Sequence, residues 1–340
     1  MISEGPNWIE ALPGPLQEAL SKTHAGISVT GAGMTVIVQS DSAIDNLPAE
    51  LSLSRNAISR KGEGGEWIGT GPFRLDIWEP GHKAVLAAFE DHWNGRPFLD
   101  SAVINAGPLP RQISAGSADI WELPIVSSRR VLPEGVRPWS SAPTDLVAVL
   151  VSNAHPLIRE ALALAIDRTP IVNVLTQRRG EAATGLLPQW LTGYAFLFPN
   201  APDPARARQV LGSLRPDPLT LSYPPDDSLA RAIAERVALN AHDAGLNIQP
   251  AGNTNTNGNL RLIRVRLPSS DAALDLSELL AALGLPAPAS LSDVESRYKT
   301  ERDILADHAI LPLVFLPQVY GVSPRVHNWS LHLENVWVAP

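Results

Sequence analysis

GTGPFRLDIWEPGHKAVLAAFEDHWNGRPFLD, residues 69–100, decides how the rest of the chain is read. It opens on Gly69-Thr70-Gly71-Pro72, where two glycines permit positive φ and a proline fixes its own. That predicts a tight turn feeding a strand from Phe73 to Trp78, with Phe73, Leu75 and Ile77 on one face. Pro80-Gly81 makes the next turn. Lys83 to Phe89 forms a second strand, and Trp93, Gly95 and Pro97 lead into a third that starts near Leu99. Periodicity alone describes a β-meander.

Upstream, residues 8–20 read as a short helical stretch broken by Pro13-Gly14-Pro15. Gly31-Ala32-Gly33 is a turn before an apolar strand, Met34 to Val38, because a lone GxG lacks the rest of a dinucleotide fingerprint. Leu47-Pro48 to Ile58 reads as a helix and Lys61 to Glu66 as a polar loop. Downstream, strands are expected at Ser101–Asn105, Arg137–Trp139 and Leu146–Val151. His155-Pro156 starts a helix whose Ile158, Leu162, Ala165 and Ile166 share one face. Thr169, with Pro170 behind it, is expected to cap the next helix. Asp203-Pro204 opens another helix. Strand Leu219–Tyr223, helix Ser228–Ala244 stopped by Gly245 and strand Asn247–Gln249 make a βαβ unit, hence a parallel α/β region. Leu260–Leu267 is a strand bearing Arg261, Arg264 and Arg266. Helices Leu274–Leu283 and Asp293–Asp307 precede a buried strand, Ile310–Leu316, and a last segment, Tyr320–Trp329.

The order of these pieces carries more than their periodicity. Turn GTGPF, then W-x-PG, then HWNGRPFLD resembles the hallmark of the family 5 extracellular solute-binding proteins, the peptide- and nickel-type receptors of bacterial ABC importers. The segment PLIREALALAIDRTPIV, Pro156 to Val172, is similar to a second family pattern, followed by Arg179-Gly180, Ala183-Thr184-Gly185 and Leu187-Pro188. SAGSAD before Ile120-Trp121 and the Asp203-Pro204 helix fit the same order. Where the family reads G-W-x-x-D-x-x-D-P, Val265 takes the tryptophan position and Asp271-Ala272 the D-P.

The resemblance implies a two-lobed α/β periplasmic-binding-protein-like fold, N-terminally shortened. Residues 1–145 and 308–340 would form the first lobe and 146–307 the second. It implies a solute-binding, peptide-type component of an ABC importer, located in the periplasm or cell envelope. Its partners would be a peptide or similar small solute and a membrane permease. Such lobes close on a ligand about a hinge. The start, MISEGPNWIEALPG, has no basic n-region or apolar h-region and is not read as a secretory signal; the expectation is that the front of the receptor is missing. A truncated paralogue without transport activity and a cytoplasmic ligand-sensing domain are the alternatives.

Composition narrows the classes. The 340 residues are too many for one small core, and 31 prolines with 24 glycines imply many turns. A net charge of −8 argues against a nucleic-acid partner, which needs a basic face. With no cysteine, disulfides and thiolate metal sites are excluded. No G-x-S-x-G, H-E-x-x-H or P-loop is present and the histidines are scattered, so no catalytic residue, metal or cofactor is expected. Asp226-Asp227 reads as a helix N-cap. Nine tryptophans exceed what such cores need. Trp121 with Glu122 is the candidate ligand contact, an indole wall beside a carboxylate that could take a peptide's ammonium. Asp271 is the alternative for that ammonium, or else the N-cap of the following helix.

Overall fold

The computed structural model describes residues 13–21, 26–32, 35–41, 44, 46–57, 59–62, 67–107, 118–125, 132, 134–152, 154–195, 197–198, 201–253, 258–286, 288 and 291–329. Expectations for residues 8–12, Met34, Ile58, 63–66, 114–117, Asn153 and 254–257 lie outside them, as do Trp8 and Trp337. The chain divides into two compact units, Met1–Ile113 with Val338–Pro340, and Ser114–Trp337.

In the first unit, α1 (Pro13–Ser21) packs Leu16 and Leu20 on Ile27 and Val29 of β1 (Ile27–Ala32). The Gln17 amide pins the pair, donating to Ile27 O at 2.7 Å and accepting from Val29 N at 2.6 Å. β1 pairs antiparallel with β2 (Thr35–Ser40), so Gly31 and Ala32, expected in a turn, lie instead at the end of a strand that opposes Val36 and Thr35. α2 (Leu47–Ser52) is capped by Asn46 and ends at Leu53, short of the expected Ile58, with a single 3-10 turn after it. β3 (Ser59–Lys61) and β4 (Trp67–Gly69) form a short hairpin ahead of the GTGP turn.

The meander is present as β5 (Phe73–Glu79), β6 (Lys83–Ala88) and β7 (Ser101–Asn105), antiparallel throughout. Gly81, at φ +75°, supplies the left-handed residue of the first turn; Gly69 and Gly71 keep negative φ. The order of the motif has a local cause in this chain. Phe89 N donates to Pro72 O at 2.9 Å, and the His92 ring lies 3.3 Å from Thr70 O and 3.1 Å from Gly95 O. Arg96 then pairs with both Glu90 and Asp100. The HWNGRPFLD loop is thereby folded back onto the GTGP turn.

The second unit is built on one seven-stranded sheet, in the order β10-β14-β9-β13-β11-β12, with β8 also on β14. The strands are β8 (Ile120–Glu122), β9 (Arg137–Val151), β10 (Glu181–Ala182), β11 (Leu219–Tyr223), β12 (Ile248–Gly252), β13 (Leu260–Arg266) and β14 (Ile310–Val322). β11, β12 and β13 are parallel, as the βαβ reading requires, while β9 and β14 are antiparallel to their neighbours. Leu146–Val149 and Ile310–Phe315 are buried, each Leu, Ile, Val or Phe side chain among them contributing about 1.5–3 kcal/mol.

Around the sheet lie α3 (Pro156–Ala165), α4 (Pro204–Leu211), α5 (Ser228–Asp243), α6 (Ala272–Ala282) and α7 (Val294–Ala306). Ile158, Leu162, Ala165 and Ile166 on one side, and Leu229, Ile233 and Val237 of α5, are buried as their spacing predicts. Asp227 caps α5 through Leu229 N and Ala230 N, both at 2.9 Å. The AIDR run earns its composition from Arg168, fully buried, whose Nε donates to Pro312 O at 2.8 Å and whose guanidinium sits 4.8 Å from the Phe198 ring centroid.

Two expectations need correcting. The cap after α3 is Asp167, not Thr169: its carboxylate, two residues ahead, accepts from Thr169 N at 2.9 Å. The strands expected at Arg137–Trp139 and Leu146–Val151 are one strand, because β14 pairs along its whole length and absorbs the mismatch in register shifts around Pro312 and Pro317. β9 runs continuously through residues 145 and 146, and β14 lies between β9 and β10.

Candidate functional site

In a sheet with parallel strands, ligands are met where the carboxyl ends of those strands open onto helix N-termini. Here that rim holds Tyr223 and Asp227 at the end of β11, Arg264 and Arg266 at the end of β13, and Asp271 before α6. Beside them run the first half of β9 and the second half of β14.

At its centre is Asp145, 2% exposed in side chain, which faces Arg266 in the β13 register and Leu316 in β14. Both its oxygens are engaged. Arg264 points Nε and Nη2 at Oδ2, at 2.9 and 2.7 Å, and Arg266 Nε reaches Oδ1 at 3.3 Å. The two guanidiniums keep 37% and 53% of their side-chain surface in solvent. Two cations on one carboxylate leave the cluster one positive charge in excess.

Tyr320 joins this group from β14. Its hydroxyl donates to Gln318 Oε1 at 3.0 Å, and its pKa is raised first by burial and then by the Glu122 carboxylate, against a lowering by Arg266. Trp139, Tyr320 and Trp329 form an aromatic trio with ring centroids 4.9–6.0 Å apart. All three are half-buried, leaving apolar ring surface at the rim. Trp190 Nε1 donates to Pro143 O at 3.2 Å, close to the same end of β9.

The residues expected from sequence are placed as follows. Trp121 is 6% exposed and lies against Gly321, where a Cβ would fall 2.5 Å from indole Cε2. Glu122 is exposed and faces Tyr320 across the strand pair. Asp271 caps α6, its Oδ1 accepting from Ala273 N and Leu274 N at 3.0 Å each. The sequence reading left Asp145, Arg264, Arg266 and Tyr320 without a role. The signal for the two arginines was their i, i+2 spacing at the end of a strand, which puts both on one face.

Away from this rim, Glu301 and Asp275 are buried carboxyls in the second unit. Glu301 of α7 accepts from Leu186 N at 2.7 Å and from the Tyr194 hydroxyl at 2.7 Å. Burial raises its pKa from 4.5 to about 7. It stands behind a pocket of about 130 Å³ lined by Tyr194, Gly185, Glu181 and Phe315, smaller than small-molecule sites usually are. Asp275 of α6 accepts from Ser269 N and Oγ, both at 2.8 Å, and burial raises it from 3.8 to about 7. Among the described residues no three acidic or histidine side chains converge as metal ligands, and no helix is long and apolar enough to cross a membrane.

Residues 24–273 match the model of the bacterial extracellular solute-binding proteins, family 5 Middle. Among curated relatives, the probable ABC transporter periplasmic-binding protein SapA of Escherichia coli is 27% identical over 170 residues, 45% of this chain and 30% of SapA. The glutathione-binding protein GsiB of Shigella flexneri is 28% identical over 214 residues, 58% of this chain and 41% of GsiB. The chain thus matches between about a third and two-fifths of the length of these relatives. Among solved structures, NikA of Staphylococcus aureus in complex with Ni(L-His)2 superposes with a TM-score of 0.73 at 17% identity, covering 97% of this chain and 82% of NikA. DppA of Helicobacter pylori in complex with the peptide STSA gives 0.74 at 16%, covering 95% and 75%. The α/β fold is that of these binding proteins.

Proposed function

Because the chain belongs to family 5 of the bacterial extracellular solute-binding proteins, we propose that it is the solute-binding component of an ABC importer and works by binding rather than by catalysis. The observation that carries this reading is the family match over residues 24–273, on a fold shared with peptide- and metal-chelate-bound receptors. Its ligand would be a peptide or similar small solute, handed to a membrane permease at the outer face of the membrane. The half-buried Trp139, Tyr320 and Trp329 offer apolar ring surface of the kind solute sites use. Glu122, exposed beside Tyr320, is the group we assign to a ligand ammonium; Trp121 would support it from beneath through Gly321 rather than wall the ligand itself. Asp271 is a second candidate for that ammonium.

The test is direct. The purified full chain is incubated with a random tripeptide library, and retained species are identified by native mass spectrometry and titrated by calorimetry. Saturable one-to-one binding is expected, weakened about tenfold by Glu122→Gln if a charge-assisted hydrogen bond is lost. Retention of no peptide at millimolar concentration would refute the reading.

A further inference from the structure

We propose that the open edge of β7 is a self-association surface, on which a second copy of this chain pairs strand to strand about a two-fold axis through Val103. Its existence does not depend on the identity of any solute.

The last strand of the meander is built like the middle of a sheet. Val103 opposes Val85 of β6, which opposes Ile77 of β5; on the other face Ile104 opposes Ala84, which opposes Trp78. Both faces of β7 are therefore apolar, the pattern of a strand covered on two sides rather than of one at a wet edge. Yet among the described residues β7 pairs with β6 alone, and Val103 and Ile104 are 54% and 55% exposed. The opposite edge of the meander is different. β5 carries Arg74, Asp76 and Glu79, charges of the kind that keep an edge strand from recruiting another chain, while Ser101–Asn105 carries none.

Area points the same way. Trp78, Trp93 and Phe98 are 62%, 75% and 90% exposed. At about 150–250 Å² per aromatic side chain they present roughly 450 Å². Leu75, Val103 and Ile104, each close to half exposed, add to this. The largest apolar patch of a typical monomer is about 300–600 Å², and a standard interface takes about 800 Å² from each partner, polar atoms included. The meander and the loop leading into β7 thus offer the apolar share of one side of a stable dimer.

Register selects a second copy as the occupant. Antiparallel pairing centred on Val103 sets Val103 against its own counterpart, Ala102 against Ile104 and Ser101 against Asn105. Apolar meets apolar, polar meets polar, and no like charges are opposed. The axis stands perpendicular to the sheet, so each face continues unbroken from one meander into the next. Such an isologous contact closes after two copies.

The experiment uses the full chain without solute, in sedimentation equilibrium from low micromolar concentration upward. The parent is expected to show a monomer–dimer equilibrium with a micromolar dissociation constant. Val103→Lys and Val103→Glu each place like charges across the axis and should weaken association at least about tenfold. An equal mixture of the two variants should restore it, because the opposed charges then differ in sign. Val174→Lys, at another exposed valine, in the second unit, should change nothing. Hydrogen exchange of the parent supplies a reading that needs no variant: the amides of residues 101–105 should gain protection as protein concentration rises. A parent that stays monomeric overturns the proposal, whatever else covers the face. So does a dimer whose β7 amides exchange at a rate independent of concentration, or a variant mixture that fails to associate although both variants are folded by circular dichroism. If either variant unfolds, hydrogen exchange of the parent decides alone.

Discussion

Replacing Gly321 by alanine should be among the most damaging single-atom insertions in this protein. The new Cβ would lie 2.5, 2.7 and 2.8 Å from Cε2, Cζ2 and Nε1 of Trp121. Carbon–carbon contacts become favourable only near 3.5–4.0 Å, so the indole or the backbone must move by about 1 Å. The indole has little room, being 6% exposed and held on a three-residue strand whose register partner is Gly321 itself. Overpacking of this kind costs about 1–3 kcal/mol, and the rigidity of both partners places Gly321→Ala near the upper end. For a unit of this size that lowers the melting temperature by roughly 6–12 °C. Denaturant unfolding followed by far-UV circular dichroism would measure it, with Trp121→Leu as the second leg of a double-mutant cycle. The double variant should be more stable than the sum of the singles predicts, by about 1 kcal/mol or more. A Gly321→Ala protein that unfolds within about 1 °C of the parent would show that the ring does not pack there.

Asp271 separates capping from binding: Asp271→Ala should cost about 1 kcal/mol of stability, whereas Asp271→Asn, which still caps, should cost little. A loss of solute affinity in the asparagine variant would give the carboxylate a role in binding, read by calorimetry. Stability should also depend on pH in an unusual direction. Glu301 and Asp275 have folded-state pKa values raised to about 7 from 4.5 and 3.8, so the folded chain holds protons the unfolded chain has released. Their contribution is full below about pH 4 and is lost as pH rises through 7. Urea midpoints at pH 5.5 should exceed those at pH 8, and Glu301→Gln should flatten the difference; a midpoint that rises over that range would contradict the burial of these groups.

The parts of the fold legible from sequence are those where local chemistry acts alone. Asp203 and Asp227 announce helices by capping, Gly81 announces a turn, and Leu229, Ile233 and Val237 announce a buried stripe. Hidden are the features made by distant partners. The extension of β9 through Ser140–Asp145 depends on β14, and no local period marks it. The burial of Trp121 depends on a glycine two hundred residues later in the chain. Asp271 was visible in both its possible roles, and only geometry shows its carboxylate on the helix. Asp145 reads as an ordinary polar residue before the run Leu146–Val151; its meaning appears when β13 brings two arginines alongside.

The position of β14 bears on how such a chain comes into being. Every strand it touches, β8, β9 and β10, is synthesised before it, yet it sits between β9 on one flank and β10 with β8 on the other. Until residues 310–322 have emerged from the ribosome, β9 presents an open row of peptide groups along an apolar strand. An edge of that kind recruits other chains. A folding chain that has not yet placed β14 therefore offers β9 as a site for association with other chains.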